Sequence, residues 1–204
     1  MIKNVIFDLG RVMYRYWPRE DLINLGYSEA RADRLMEIVF DNPLWIEFDR
    51  GTYTMSAGVE KICADYPDDA ADIRHIFSDG WADRVEVLMP ESVNFFREVR
   101  EGGYKTYVLS NFPEDGFEYI RKRDAFFFDQ MDGIVVSGYE KLIKPDPAIY
   151  HLILGRYNLI PQETVFIDDM EKNINAARDL GIHGILFKNI EDCKARFKTL
   201  TATD

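Results

Sequence analysis

Val5-Ile6-Phe7-Asp8-Leu9-Gly10-Arg11-Val12 decides how this chain is read. Three apolar residues run directly into an acid, and a glycine follows two places later. A continuous apolar run of this kind is the signature of a strand buried on both faces, as in a parallel sheet. An aspartate closing such a strand lies at the carboxyl edge, where open α/β sheets place their ligands. Asp8 is therefore either a nucleophile or ligand at the mouth of a sheet, or simply the polar residue that ends a strand. This stretch alone leaves both readings open.

Working outward, the first strand spans roughly residues 3–8, and a polar-aromatic passage follows, Tyr14-Arg15-Tyr16-Trp17-Pro18. From about Arg19 to about Arg84 the pattern is helical. Ser28 is a fair N-cap for a helix from Ala30 to Phe40, with Leu35, Ile38 and Val39 on one face, and Pro43 stops it. Gly51-Thr52 is a turn before a helix through Val59 and Ile62, and Pro67-Asp68 opens another. After Pro90 strand and helix alternate: strands at 106–109, 133–136, 164–167 and 182–187, helices at 91–101, 114–123, 147–157, 171–180 and 193–200. Gly102-Gly103 ends one of these helices, and Asp146-Pro147 caps the start of another. The alternation predicts an α/β fold, a doubly wound parallel sheet with helices on both faces. Residues 1–14 and 85–204 would form this core, and 15–84 a helical cap inserted in the first crossover. The insertion leaves the sheet just after Asp8, so it is expected to stand over the carboxyl edge as a lid.

Bulk composition narrows the function. The 204 residues suit one domain with a modest insertion, and 47% hydrophobic content is enough for a real core. A net charge of −11 and a pI near 4.8 argue against nucleic-acid or anionic-membrane partners, which need basic surface. Cys63 and Cys193 match no metal spacing and read as reduced structural thiols. Met1 leads straight into the first strand without a signal-like or membrane-length apolar run, so a soluble cytoplasmic protein is expected, as a monomer or small homo-oligomer.

The residues that follow the strands carry the chemistry: Asp8 after the first, Ser110-Asn111 after the second, Asp168-Asp169 after the fourth. Lys144 lies in the loop beyond the third. In a doubly wound sheet these positions converge on one edge. Carboxylates brought that close repel one another unless a cation sits between them. Hard oxygen ligands suit Mg²⁺, which takes one or two carboxylates together with phosphate and water. Lys144 supplies a point charge for a phosphate oxygen and Ser110 a hydroxyl for another. The set suits phosphoryl transfer, in which positioning and charge neutralisation do most of the catalysis.

On these residues the chain resembles the haloacid dehalogenase (HAD) superfamily of hydrolases, in the subfamily I form with a helical C1-type cap. Phe7-Asp8-Leu9-Gly10 corresponds to the first family motif, Leu109-Ser110-Asn111 to the second and Lys144-Pro145 to the third. Phe166-Ile167-Asp168-Asp169, with Asn173 four residues on, corresponds to the fourth. The resemblance implies a Rossmann-like core and a two-step reaction on a small phosphorylated metabolite. Asp8 would attack phosphorus to give an aspartyl-phosphate, which water then hydrolyses. It further implies Mg²⁺ held by the Asp8 carboxylate, the backbone carbonyl of Gly10 and Asp169, with Asp168 acting from behind or through a water. Ser110, the Asn111 backbone and Lys144 would hold the phosphate.

One position departs from the family pattern. Its phosphatases usually carry a second aspartate two residues after the nucleophile, which protonates the leaving group and later activates water; here that place is Gly10. The carbonyl ligand survives, but the proton donor does not, and general acid–base work is typically worth about 10²–10⁴-fold. Three readings follow. The substrate carries a good leaving group, such as an anomeric sugar phosphate, and phosphatases with an F-D-L-G motif, including bacterial glucose-1-phosphate phosphatase, are similar in this respect. Alternatively the chain is a 2-haloacid dehalogenase, which works without metal; or it binds a phosphate ligand with weak catalysis or none. The paired Asp168-Asp169 gains a metal-free dehalogenase little, and residues 8–12 lack the aromatic and threonine that dehalogenases show, so a Mg²⁺-dependent phosphatase is the preferred reading.

Arg11 and Tyr14 are candidates to stand in for the missing acid. Among Tyr14, Arg15, Tyr16 and Trp17 some are expected to face the site, and Trp45, Phe48 and Arg50 form an aromatic-basic cluster that would either contact substrate or build the cap's own core. His75, His151 and His183 match no ligand or triad spacing.

Overall fold

The computed structural model describes residues 1–78, 83 and 87–202. Among the described residues seven strands run in chain order: β1 Asn4–Phe7, β2 Tyr14–Arg15, β3 Val87–Leu88, β4 Lys105–Ser110, β5 Gly133–Val136, β6 Thr164–Asp168 and β7 His183–Leu186. Five of them form one parallel sheet in the order β5-β4-β1-β6-β7. The apolar, β-branched sequences of β1, β5 and β6 are what a two-sided buried strand requires. Side-chain alternation then sorts them between two cores. Val5 and Phe7 join Val108, Val165 and Ile167 under the helices Pro90–Glu101, Glu114–Arg123 and Ile190–Ala202. Ile6 joins Leu109 and Phe166 under Pro147–Tyr157 and Glu171–Asp179. The chain is thus an α/β fold, a doubly wound parallel sheet.

The strand order decides where the site is. From β1 the chain moves outward through β4 and β5, then returns to the other side of β1 for β6 and β7. The point of reversal lies at the carboxyl end of β1, the place where such sheets open a crevice for ligands. Phe7 is in register with Val108 on one side and Ile167 on the other, so Asp8 emerges between the ends of β4 and β6.

Between Pro18 and Ile76 the elements are helical: Pro18–Asn24, Glu29–Leu35, Met36–Phe40, Trp45–Asp49, Met55–Asp65 and Ala70–Ile76, with a single 3₁₀ turn at Pro67–Asp69. They enclose their own apolar cluster, which includes Leu22, Leu35, Phe48, Ile62 and Ile73. The expected single helix from Ala30 to Phe40 is interrupted: its last turn, Met36–Phe40, widens to π geometry. The β-branched pair Ile38-Val39 falls inside that turn, and both remain buried. A helix at Trp45–Asp49 and a two-stranded antiparallel ribbon pairing Tyr14 with Leu88 and Arg15 with Val87 went unread in the sequence. Two-residue strands carry no periodicity, and the aromatic passage hid this one. The ribbon ties the start and end of the helical tract together. The expected division at residues 84 and 85 lies outside the described residues. Among the described residues no helix is long and apolar enough to cross a membrane. Both cysteines are free and buried, and burial pushes the Cys193 thiol up to about 12.

Candidate active site

Asp8 leaves β1 with its backbone N–H donating to Ile167 O at 2.9 Å, while its Oδ1 accepts from the Leu9 N–H at 2.7 Å. The chain then turns tightly: the Met13 and Tyr14 N–H groups both donate to Leu9 O at 2.8 Å. This turn brings Gly10 to the wall of the same cavity as Asp8.

Lys144 is the centre of charge. It is 2% exposed, and its Nζ lies 2.8 Å from Asp8 Oδ1 and 2.7 Å from Asp168 Oδ2 while donating to Leu109 O at 3.0 Å. Burial works to lower the ammonium's pKa, but Asp8 and Asp168 outweigh it and hold the group above its ordinary value. The loop that delivers it is held by Asn111, whose side chain donates to Lys144 O at 3.0 Å and accepts from Lys144 N at 2.8 Å. The Asn111 side chain is therefore committed to the lysine loop.

Asp168 is wholly buried and saturated. It accepts from the Met170 N–H at 2.8 Å, from Asn173 Nδ2 at 3.0 and 3.1 Å, and from Lys144. Asn173 thus supports Asp168 rather than Asp169 or Lys144. Asp169 sits beside it at the cavity wall, with Arg11 3.9 Å away. The carboxylate oxygens of Asp8, Asp168 and Asp169 lie within 4.8 Å of one another, a donor set of hard oxygens that could hold a metal ion. Burial raises Asp8 to about 7, with Lys144 opposing and Asp168 and Asp169 adding to the rise; Asp169 is raised too, by burial and by Asp168. A divalent cation would relieve that repulsion. Ser110 Oγ is buried at the end of β4 with no hydrogen-bond partner among the described residues, yet it lines the cavity. An orphaned hydroxyl is costly unless a ligand completes it.

The cavity holds about 630 Å³, within the range of sites for small molecules. Its floor is the polar set above, and its upper walls are Phe40, Pro43, Trp45, Ile46 and Met55 of the helical tract facing Phe112 and Pro113 of the core.

All the strand-end candidates except Asp168 line this cavity, and Asp168 abuts it through Lys144. The candidates to replace the missing acid fare differently. Tyr14 is buried in the core with its hydroxyl donating to Asp124 at 2.8 Å, away from the cavity. Arg11 reaches the rim, but a guanidinium has no proton to give at ordinary pH. Tyr16 and Trp45 line the cavity; Phe48 is in the helical tract's core, and Arg50 lies 3.6 Å from Glu47. None of His75, His151 and His183 lines it.

The sequence reading missed Asp49. It lines the cavity from the helical tract and is partly exposed to it, and burial pushes its carboxyl up to about 7, with Lys144 opposing, Asp8 adding and Lys172 opposing. The available signal was its spacing from Trp45, four residues earlier on the same helix face.

A sequence profile of the haloacid dehalogenase-like hydrolases matches residues 2–181, and the chain belongs to that family. It is 32% identical over 191 residues to mouse (Mus musculus) acyl-CoA dehydrogenase family member 10, an alignment covering 89% of this chain but only 17% of the mouse protein. It is 25% identical to the sesquiterpene phosphatase astK of Aspergillus oryzae, covering 90% of this chain and 88% of that one. In three dimensions it superposes on a HAD family enzyme of Bacteroides thetaiotaomicron, crystallised with magnesium and inorganic phosphate, with a TM-score of 0.71 at 22% identity, covering 92% and 95% of the two chains.

Proposed function

We propose that this hydrolase is a Mg²⁺-dependent phosphatase of small phosphomonoesters, working through an aspartyl-phosphate on Asp8. The observation that carries it is Lys144 locked between Asp8 and Asp168, with Asp169 and the orphaned Ser110 hydroxyl on the same cavity floor. The Asp8 carboxylate, the Gly10 carbonyl and Asp169 would hold the cation, which supplies charge neutralisation at the phosphoryl group. Lys144 orients Asp8 and balances its charge. Ser110 and the Asn111 backbone bind phosphate oxygens. Asp168, fixed by Asn173, holds Lys144 in place.

The helical tract, which we take as a cap over residues 15–84, sets what reaches Asp8. The aromatic and aliphatic walls from Phe40 to Met55 suit an apolar organic body better than a polyhydroxylated sugar, and one relative is named a sesquiterpene phosphatase. The paired acids Asp168 and Asp169 favour a metal-assisted phosphatase over a metal-free dehalogenase. A phosphate-release screen over prenyl, aryl and sugar phosphates, with and without Mg²⁺, tests the assignment. Release should require Mg²⁺ and favour apolar esters. No turnover of any phosphate ester, or chelator-resistant halide release from a 2-haloacid, would overturn it.

A further inference from the structure

Gly10 removes the proton donor from the loop after β1, and neither Arg11 nor Tyr14 replaces it. A donor must therefore come from the other side of the cavity. Four aspartates line it: Asp8, Asp41, Asp49 and Asp169. Asp8 is the proposed nucleophile, and Asp169 belongs to the proposed cation site. Asp41 is exposed at the rim. Asp49 remains, on the face opposite the sheet edge. Among the described residues its carboxylate makes no hydrogen bond and no ion pair, so it is open to a ligand in the cavity.

Its position is nevertheless fixed, through the backbone. Ser137 Oγ, at the start of the core helix Ser137–Glu140, donates to Asp49 O, and the same Oγ accepts from the Phe112 N–H at 2.9 Å. Two residues on, Lys141 Nζ donates to Gly51 O at 2.8 Å and to Gly138 O at 2.6 Å. Gly51 takes φ +71°, and a Cβ there would meet Gly138 O at 2.3 Å, so the cap backbone is seated directly on the core. Met55 N adds a bond to Asp115 at 2.9 Å. The end of the helix Trp45–Asp49 is thus pinned to the core on its backbone side while its carboxyl stays free in the cavity.

We propose that Asp49 is the general acid–base residue of this enzyme, supplied by the cap in place of the one lost at Gly10. This rests on the phosphatase reading. In the first step Asp8 Oδ forms a bond to phosphorus, and the bond from phosphorus to the ester oxygen breaks. The electron pair goes to that oxygen, which takes the proton of the Asp49 carboxyl. In the second step the Asp49 carboxylate takes a proton from a water as its oxygen bonds to phosphorus. The bond from phosphorus to Asp8 breaks, its electron pair returns to the Asp8 carboxylate, and inorganic phosphate leaves. Burial, which lifts the Asp49 pKa, makes the carboxyl able to hold a proton for the first step and accept one in the second.

The test compares the native protein with Asp49→Asn on phosphate esters of graded leaving-group basicity, in Mg²⁺. The native enzyme should show a shallow dependence. The variant should lose on the order of 10²–10⁴-fold on alkyl phosphates and far less on 4-nitrophenyl phosphate. Acid quenching of the variant with 4-nitrophenyl phosphate should trap phosphoenzyme, because formation needs no acid while hydrolysis lacks its base. A Cβ at Gly10 meets open space, so Gly10→Asp in the Asp49→Asn background should fold and restore turnover of alkyl phosphates. Tyr16→Phe, at another cavity residue with a proton to donate, should keep the native leaving-group dependence. Equal losses on all esters, absence of trapped phosphoenzyme, or a Tyr16→Phe variant with the steep dependence would each overturn the assignment while leaving an active phosphatase. A native protein that releases phosphate from no ester would instead remove the reading on which it rests.

Discussion

Replacing Lys144 by Met tests whether the site is an electrostatic unit. The substitution keeps length and apolar contact but removes the cation 2.8 Å from Asp8 and 2.7 Å from Asp168. At an effective dielectric of about 20, each contact is worth roughly 6 kcal/mol before the cost of burying the ammonium is subtracted. Experience with broken buried pairs puts the net loss at about 3–5 kcal/mol. In a chain of this size that is on the order of 10 °C in melting temperature. The pH dependence is the sharper signature. Asp8 has a folded pKa raised from 3.8 to about 7, so the native state holds an extra proton across that window and stability falls as pH rises through it. Without Lys144 the carboxyl moves higher still, and the fall continues above neutrality. The destabilisation measured by urea unfolding in chelator should therefore be larger at about pH 8.5 than at about pH 7. Below about pH 6 Asp8 is protonated in both proteins and the difference should level off. A loss that is flat with pH, or under about 1 kcal/mol throughout, would show that Lys144 does not compensate Asp8.

Three further outcomes follow from the geometry of the site and its cap. A cation at Asp8 and Asp169 must displace the proton that burial keeps on Asp8, so the rise in melting temperature on adding Mg²⁺ should be small near pH 5.5 and grow through about pH 7. Asp8→Asn should abolish that rise and all turnover while making the metal-free protein more stable at about pH 8; an unchanged Mg²⁺ effect would place the cation elsewhere. Gly51→Ala puts a methyl group 2.3 Å from Gly138 O and 2.5 Å from Lys141 Nζ at a left-handed φ, so it should cost more than about 1 kcal/mol and lower kcat/KM at least about tenfold by lifting the cap from the core. Native activity in that variant would mean that the seating of Asp49 on the core is not needed.

The core of this fold was legible because its signals are local and redundant. The parallel strands β1, β4, β5 and β6 are short apolar runs that end at a polar residue, and the helices at 91–101, 147–157 and 171–180 carry their own cap or stop. The motifs at Asp8, Ser110, Lys144 and Asp169 could be gathered into one site because strand order in a doubly wound sheet follows from connection rules. The helical tract gave less. Its helices are short, the turn at Met36–Phe40 changes period, and the strands at Tyr14–Arg15 and Val87–Leu88 are too short to alternate. Asp49 was invisible for a different reason. Its spacing from Trp45 only places the two on one helix face; that the face lines a cavity rather than meets water is set by the seating of Gly51 on Gly138 and Lys141.

That difference bears on how the reaction is gated. With an aspartate two residues beyond the nucleophile, proton transfer and nucleophilic attack are mounted on one rigid loop, and a cap adds only specificity. With glycine there and the acid on the helix Trp45–Asp49, the reacting groups sit on opposite walls of the cavity. Chemistry then requires the contacts of Ser137 with Asp49, Lys141 with Gly51 and Asp115 with Met55 to be made at once. The same seating sets Trp45, Ile46 and Met55 in the cavity wall beside Asp49, so an ester that packs against those walls is also held near the proton donor. With the acid on the wall that also meets the substrate body, discrimination should appear in kcat as well as in KM.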